Sequence, residues 1–157
     1  MRRLNLYGVL IFSFFISWGC AGPGATQPPN IYYGKDVCGE CRMIIVDKKF
    51  AGGYVDPEGD IHKFDDIGCM RLFIERNKQT PLIFWVHDFG NGEWIEGEGA
   101  FFTHSQKLVT PMDYRIAAFS NDDSAKLFLK ENGGHTITWD KMLEIIQKKN
   151  ESIKGGE

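Results

Sequence analysis

The sequence predicts an α+β fold of two related β-β-α-β modules in one compact domain, closed by a C-terminal helix. The chain has 157 residues, 43% of them hydrophobic and 25% charged, which is the balance of an ordinary globular domain. Its 12 phenylalanines supply enough apolar area for a core. An approximate repeat relates residues 61–74 to residues 116–129, and each copy shows a strand signal followed by a helix signal.

Each module is predicted to surround one helix with strands. Hairpins are suggested ahead of the helices, one by residues 43–46 with 52–55 and one by residues 93–95 with 100–102. Acidic or Asn residues precede both helices as candidate N-caps, and Gly133-Gly134 ends the second helix. Further strands are expected at 82–86 and 136–139, and an amphipathic helix from Asp140 to about Lys149. The predicted domain covers residues 37–157, with modules at about 37–90 and 91–149.

Residues 1–19 are predicted to be a lipoprotein signal peptide. Arg2 and Arg3 precede an apolar run from residue 4 to residue 18, which is short for a membrane span and typical of a signal. The run ends at Ser17-Trp18-Gly19-Cys20, which resembles a bacterial lipobox, although Ser17 stands where Leu is usual. The expectation is therefore lipidation of Cys20, a flexible Gly/Pro-rich tether over residues 20–36, and an extracytoplasmic, membrane-anchored protein. Ala21 after the cysteine suggests the outer membrane, facing the periplasm, in a cell with two membranes.

The charge of the chain argues against nucleic acid as a partner. Eighteen basic residues against 21 acidic ones give a net charge of −3, and no basic run forms a phosphate-binding stripe. Removal of the signal peptide takes away Arg2 and Arg3 and leaves a net charge of −5. Because anionic lipid would repel such a domain, attachment to the membrane is expected to come from the acyl chains.

The segment Cys38-Gly39-Glu40-Cys41-Arg42-Met43 concentrates the residues that carry chemistry. A C-x-x-C pair can form a redox disulfide, supply half of a zinc site, or offer soft sulfur to a monovalent metal. The residues after Cys41 look like a strand, so the helix N-terminus of a thioredoxin-like site is not expected. On an extended segment Cys41 and Met43 would face the same side, and a thiolate with a thioether favours Cu(I). Packing of Met43 in the core is the other interpretation.

Residues 38–143 resemble the NosL family, the lipoprotein copper chaperones associated with maturation of nitrous oxide reductase. Each matching segment is short, but their order and spacing agree with the family, and the family's fold of two β-β-α-β modules agrees with the repeat. The matching segments are 41–44 (CRMI), 64–70 (FDDIGCM), 86–88 (VHD), 100–102 (AFF), 109–112 (VTPM), 117–119 (AAF) and 133–134 (GG). Arg42 is a departure, since family members commonly have Gly there.

The resemblance implies a Cu(I)-binding metallochaperone that delivers copper to a metalloenzyme, nitrous oxide reductase in this family. It assigns Cu(I) ligation to Cys41 and Met112, with Met43 as a further candidate. For Cys38 three possibilities stay open: a third sulfur ligand, a reversible disulfide with Cys41, or neither role. The protein is not expected to be an enzyme, because no Ser-His-Asp constellation, phosphate loop or H-E-x-x-H motif occurs.

The remaining polar candidates are predicted to be structural. Cys69 lies on an apolar helix face and is expected to be a small buried hydrophobe. Asp65 and Asp66 precede a helix and are expected to cap it. Lone histidines at 62, 87 and 104 are expected to be solvated or hydrogen-bonded rather than metal ligands. The competing functional hypotheses are a thiol-disulfide oxidoreductase using Cys38 and Cys41, and a structural zinc-binding module.

Overall fold

Seven strands, three α-helices and one 3₁₀ turn make up the computed structural model, which describes residues 27–155. The first module contains β1 (Gly52–Val55), β2 (Ile61–Phe64), α1 (Ile67–Arg76) and β3 (Ile83–His87). Next come β4 (Trp94–Glu96) and the 3₁₀ turn Gly97–Gly99. The second module contains β5 (Phe101–His104), β6 (Ile116–Phe119), α2 (Asp122–Asn132) and β7 (His135–Ile137). The C-terminal helix α3 spans Trp139–Lys154.

The strands form two antiparallel sheets with the same local topology. The first sheet has the order β2-β1-β3-β4, and the second has the order β6-β5-β7. In each sheet the first strand of the module is central, the second lies on one side, and the strand after the helix lies on the other. The predicted α+β fold of two related modules is therefore confirmed. The repeat is also in register, since β2 begins at residue 61 and β6 at residue 116.

The predicted hairpins are wrong. Residues 43–46 form no strand, and only Ile44 makes an isolated bridge, with Val37. The partners of β1 are β2 and β3. Strand β4 pairs with β3 in the first sheet, across the predicted module boundary at residues 90 and 91, whereas β5 pairs with β6 and β7. Apolar alternation identified the strand residues in the second case, but it carries no information on which strand lies beside them.

Polar side chains set the helix boundaries as predicted. The carboxylate of Asp66 accepts a hydrogen bond from the backbone N–H of Gly68 and caps α1, and Asn121 does the same for α2 through Ser124 N–H. Helix α2 ends at Gly133, whose φ of 69° lies in the left-handed region. Helix α3 begins after Thr138, which accepts a hydrogen bond from Lys141 N–H.

The main core lies between the first sheet, α1 and α3, and the second sheet adds Phe102, Ile116 and Ala118 to it. Its largest fully buried side chains include Tyr54, Phe64 and Met70, and α3 contributes Met142 and Ile146. The C-terminal end of the predicted tether also packs here, because Ile31 is buried in this core and the Tyr33 hydroxyl hydrogen-bonds to His87. The ordered domain thus begins before residue 37. This core provides the rigid support for the loop and helix described below.

No helix within residues 27–155 is long and apolar enough to cross a membrane. The predicted signal peptide, residues 1–19, and the lipidation site Cys20 lie outside the described residues.

Candidate functional site

The loop of residues 38–43 is a tight turn held by its own backbone. Cys38 N–H donates to the carbonyl of Met43 at 2.8 Å, and Arg42 N–H donates to the carbonyl of Cys38 at 3.2 Å. A third bond, from Gly39 N–H to the carbonyl of Lys63 at 2.9 Å, fixes the loop against β2. Arg42 has a φ of 66°, a left-handed conformation that costs a side chain roughly 1–2 kcal/mol. Glycine, the residue usual at this position in the resembled family, adopts this conformation without that cost.

Three thiols and one carboxylate converge beneath this turn. The Sγ atoms of Cys38, Cys41 and Cys69 and a carboxylate oxygen of Asp65 all lie within 4.8 Å of one another. All three cysteines are free thiols. Cys38 and Cys69 are fully buried, Asp65 is almost fully buried, and Cys41 is partly exposed. The arrangement can therefore hold one metal ion that prefers sulfur, with Cys41 on the accessible side.

The start of α1 supplies half of this cluster. Asp65 lies between the end of β2 and the cap residue Asp66, and Cys69 follows Asp65 by one helical turn. The thiol of Cys41 donates to both oxygens of Asp65, at 3.3 and 3.4 Å. No ion pair within residues 27–155 includes Asp65. A buried carboxylate without a cationic partner adds to the attraction that the cluster exerts on a cation.

The three thiols differ in acidity. A hydrogen bond from Cys69 lowers the pKa of Cys38, because it stabilises the Cys38 thiolate. The same hydrogen bond raises the pKa of Cys69, and burial adds to that rise. Burial also raises the pKa of Cys41, and the negative charges of Cys38 and Asp65 add to this effect. The buried Cys38 is thus the most acidic of the three thiols, and deprotonation of Cys41 and Cys69 requires a metal cation to offset the accumulated negative charge.

A cavity of about 300 Å³ opens beside the cluster and brings Met112 to it. Cys41, Cys69 and Met112 line it together with Glu40, Leu72, Arg76, Tyr114 and Asn150. Met112 lies in the loop between β5 and β6, so the second module closes a site that the first module begins. The ion pair between Arg76 and Glu40 stands at the wall of this cavity.

Asp66 connects the Met112 loop to α1. Besides capping the helix, its carboxylate accepts hydrogen bonds from the Thr110 hydroxyl at 2.6 Å and from Met112 N–H at 3.1 Å. The Tyr114 ring also lies on Gly68, so closely that a Cβ atom at this glycine would be 2.4 Å from the ring. The position of Met112 relative to Cys69 is therefore fixed by one buried carboxylate and one ring contact.

The structure brings together three of the four predicted metal ligands. Cys38 and Cys41 lie in the thiol cluster, and Cys41 shares a cavity with Met112. Met43 is 50% exposed and is not among the residues that line the cavity. The premise for Met43 was an extended segment, and that premise fails because the left-handed Arg42 turns the chain between Cys41 and Met43. Ligation by Met43 stays a prediction.

Two residues of the cluster were assigned only structural roles by the sequence analysis. Cys69 is buried as predicted, yet its thiol reaches Cys38; Asp65 does not cap the helix but accepts from Cys41. The signal in the sequence that could have indicated their part in the cluster was the spacing of Asp65 and Cys69, which places a thiol one helical turn after a carboxylate at the start of a helix. Two of the three histidines match the expectation for hydrogen-bonded groups, since His62 pairs with Asp56 and His87 is bonded to Tyr33 and Gly92.

Comparison with known proteins shows the family and the fold. The NosL family model matches residues 31–146. The crystal structure of the copper chaperone NosL from Shewanella denitrificans superposes with a TM-score of 0.64 at 20% sequence identity, covering 75% of this chain and 96% of that chain. No curated protein matches the sequence. The matched region contains the whole thiol cluster and Met112.

Proposed function

This chain belongs to the NosL family, and we propose that it is a Cu(I)-binding metallochaperone that delivers copper to an extracytoplasmic metalloenzyme. The single observation that carries the proposal is the convergence of the Cys38, Cys41 and Cys69 thiols beside a cavity that contains Met112. Support also comes from the Shewanella denitrificans protein, which is described as a copper chaperone and shares the fold.

The donor set suits Cu(I) as a transferable cargo. Thiolate and thioether sulfurs are soft ligands that favour Cu(I) over hard cations. Cys41 and Met112 reach the cavity, whereas Cys38 is fully buried. A soft or imidazole ligand of an acceptor would approach through the cavity, bind the copper, and displace Met112 and Cys41 before the buried thiols. The protein acts in this proposal as a carrier and not as an enzyme.

We further propose a lipid anchor at Cys20 and nitrous oxide reductase as the acceptor. The anchor is supported by the Ser17-Trp18-Gly19-Cys20 segment after an apolar run, and the acceptor by the resemblance to the family alone. The expected location is outside the cytoplasm, on the outer membrane facing the periplasm if the cell has two membranes. The mass of the protein extracted from its native membrane tests the anchor, because lipidation predicts an N-terminus at Cys20 with an acyl increment.

An anaerobic titration of the reduced protein with Cu(I), in competition with a chromophoric Cu(I) chelator, tests the copper site. Met112→Leu should weaken Cu(I) binding at least tenfold, because it removes the thioether and keeps the volume. Met142→Leu is the matched control, since Met142 is buried in the core and does not line the cavity. Met43→Leu tests the remaining predicted ligand. Wild-type protein that binds no Cu(I) would refute the proposal.

A structural zinc module is the second candidate, because three cysteines and one aspartate are a four-ligand set for Zn(II). Two substitutions separate the metals. Asp65→Asn removes a hard oxygen ligand and should weaken Zn(II) but not Cu(I), whereas Met112→Leu should weaken Cu(I) but not Zn(II). Elemental analysis of protein purified under reducing conditions without added metal completes the test, and a stoichiometric zinc content would favour the structural role.

The geometry gives less support to a thiol-disulfide oxidoreductase. Such an enzyme needs an accessible thiol with a low pKa. Here the thiol with the lowered pKa, Cys38, is fully buried, and the accessible thiol, Cys41, has a raised pKa. Loss of disulfide reductase activity in Cys38→Ser, with copper binding retained, would revive this function.

A further inference from the structure

Cys38 and Cys41 lie on one tight turn, close enough to be joined by a disulfide. The bond from Arg42 N–H to the Cys38 carbonyl closes this turn, and Cα atoms three residues apart in a tight turn lie within about 7 Å of each other. A disulfide joins Cα atoms that are about 4.4–6.8 Å apart. The two Sγ atoms already lie within 4.8 Å, so side-chain rotation within the turn can bring them together.

Cys69 is a poorer disulfide partner, although its thiol belongs to the same cluster. It lies on α1, which the Asp66 cap and the main core hold in place, and it is fully buried. A disulfide from Cys69 to the turn would link two separate elements, so any strain in that link would fall on the packed core. A disulfide between Cys38 and Cys41 closes a short loop that its own backbone bond already forms, so little ordering entropy is lost.

Cys41 is the sulfur of this pair that a partner protein can reach. It is partly exposed and lines the cavity of about 300 Å³, whereas Cys38 is fully buried and is not among the lining residues. Thiol-disulfide exchange proceeds by attack of a thiolate on an accessible sulfur, through a mixed disulfide. A dithiol partner would therefore attack Cys41 and release Cys38, whose thiol stays inside the domain.

A disulfide between Cys38 and Cys41 would take two sulfur ligands from the candidate copper site. Cys69 and Met112 would remain as the sulfur ligands that line the cavity. A disulfide sulfur has no thiolate charge to offer Cu(I). Disulfides form and persist outside the cytoplasm, where this protein is proposed to act. In that compartment the site needs a reductant before it can bind copper.

We propose that reduction of a Cys38–Cys41 disulfide by an extracytoplasmic dithiol protein precedes copper loading of this chain. The inference rests on the proposed function for the cargo and the compartment, whereas the pairing of the two cysteines is independent of both. The chain is the substrate of this exchange and not its catalyst, so it does not need the acidic, accessible thiol that an oxidoreductase needs.

The two half-reactions balance with thiols and disulfides alone. In the oxidation, a disulfide of an oxidising partner accepts two electrons and two protons from Cys38 and Cys41; its S–S bond breaks and the Cys38–Cys41 bond forms. In the reduction, one thiolate of the dithiol partner attacks Cys41, and Cys38 leaves and is protonated. The second thiolate of the partner then attacks the mixed disulfide, Cys41 leaves and is protonated, and the partner retains the new disulfide.

Peptide masses test the pairing in the full-length protein. The protein is equilibrated with glutathione and glutathione disulfide, alkylated under denaturing conditions and digested with trypsin. Cys38 and Cys41 fall in one peptide, residues 36–42, and Cys69 falls in another, residues 64–71. The first peptide should be unalkylated and lighter by two hydrogen atoms, with Cys69 alkylated. Cys69→Ala is the matched control and should form the same disulfide, whereas Cys38→Ala should instead carry glutathione on Cys41.

Copper binding by the oxidised protein tests the order of the two steps. Oxidised wild type should bind Cu(I) at least tenfold more weakly than reduced wild type, in competition with a chromophoric chelator. Reduced thioredoxin, used as a probe for a dithiol protein, should restore the affinity of the reduced form. Restoration by dithiothreitol but not by thioredoxin would overturn a dithiol protein as the reductant.

The outcomes distinguish this proposal from the proposed function. Cysteines that all stay alkylated in excess glutathione disulfide, or a cross-link between the two peptides, overturn the Cys38–Cys41 disulfide and leave the copper site intact. Equal Cu(I) affinities of the oxidised and reduced forms overturn the order of the steps. Reduced wild type that binds no Cu(I) overturns the proposed function, and with it this order, whereas the peptide masses test the disulfide in either case.

Discussion

Protonation of His87 should lower the stability of the domain as the pH falls below neutral. Its ring is fully buried and stacked on Trp94, with ring centroids 3.7 Å apart. Nδ1 is 2.9 Å from the carbonyl oxygen of Gly92, which can only accept, so Nδ1 carries the proton. Nε2 then accepts a hydrogen bond from the Tyr33 hydroxyl at 2.7 Å. The neutral imidazole is thus fully satisfied, and protonation would bury a charge.

The magnitude follows from the pKa of this histidine. Burial lowers the pKa of His87 from 6.5 to about 4 in the folded protein. A lowered folded-state pKa means that the unfolded chain binds the proton more readily, so the stability is complete above pH 6.5 and is lost between pH 6.5 and pH 4. The linkage relation gives a loss of about 2 kcal/mol between pH 8 and pH 5.

Asp66 changes the stability of the domain in the opposite direction over part of the same pH range. Burial raises its pKa to about 6, against the hydrogen bonds that lower it, so its contribution falls as the pH rises through 6. The wild-type curve alone therefore cannot isolate His87. The comparison needed is urea unfolding at pH 8 and pH 5 of the wild type and of His87→Gln, because Asp66 contributes equally to both.

We expect His87→Gln to be less stable than wild type at pH 8, since a buried hydrogen bond is lost, and to recover about 2 kcal/mol relative to wild type at pH 5. His135→Gln, at an exposed position on β7, is the control and should follow the wild-type curve. Parallel curves for wild type and His87→Gln would refute the lowered pKa of His87 as the cause of the loss of stability.

Three further substitutions probe the support of the thiol cluster. Asp66→Asn should cost about 1–3 kcal/mol in urea unfolding and weaken Cu(I) binding, because one carboxylate oxygen accepts from Gly68 N–H and the other from Met112 N–H, whereas an amide has a single acceptor oxygen. Unchanged Cu(I) binding would contradict the positioning role of Asp66. Gly68→Ala should lower the melting temperature, because the new Cβ atom would displace the Tyr114 ring. Alanine is the better helix former, so a higher melting temperature would show that the ring is free to move. Arg42→Gly should stabilise the domain by roughly 1 kcal/mol, because glycine adopts a φ of 66° without strain. The Cu(I) affinity should not change. A loss of stability would show that the Arg42 side chain makes favourable contacts.

The sequence predicted the modules because their signals are local. A capping side chain, an apolar periodicity and a Gly-Gly helix end each act within a few residues, and Asp66, Asn121 and Gly133 have the predicted roles. The pairing of β4 with β3 instead of β5 depends on contacts between residues distant along the chain. Local sequence patterns specify which face of a strand or helix is buried and where the element ends, but they do not specify which strands lie side by side.

The same distinction explains the candidate site. Cys41 was singled out by the C-x-x-C segment and Met112 by the resemblance to a family. Cys69 was assigned to the core, because a free cysteine on an apolar helix face usually packs there. Cys69 is indeed buried, and only its short distance from Cys38 indicates that it also belongs to the thiol cluster. That distance results from the Gly39 to Lys63 backbone bond, which attaches the cysteine turn to β2.

The repeat explains why the second module, as described over residues 91–149, has no thiol cluster of its own. Advancing the first module by the repeat interval of 55 residues places Asp66 on Asn121, and both are helix caps. The same shift places Asp65 on Ser120 and Cys69 on Ser124, so the second module keeps the cap and has hydroxyls where the first has a carboxylate and a thiol. In the second module Ser120 N–H donates instead to Asp88, at the connection between the two sheets. The second module therefore contributes to the candidate site through its own long loop, which carries Met112, and the thiol cluster is an asymmetric feature of a symmetric fold.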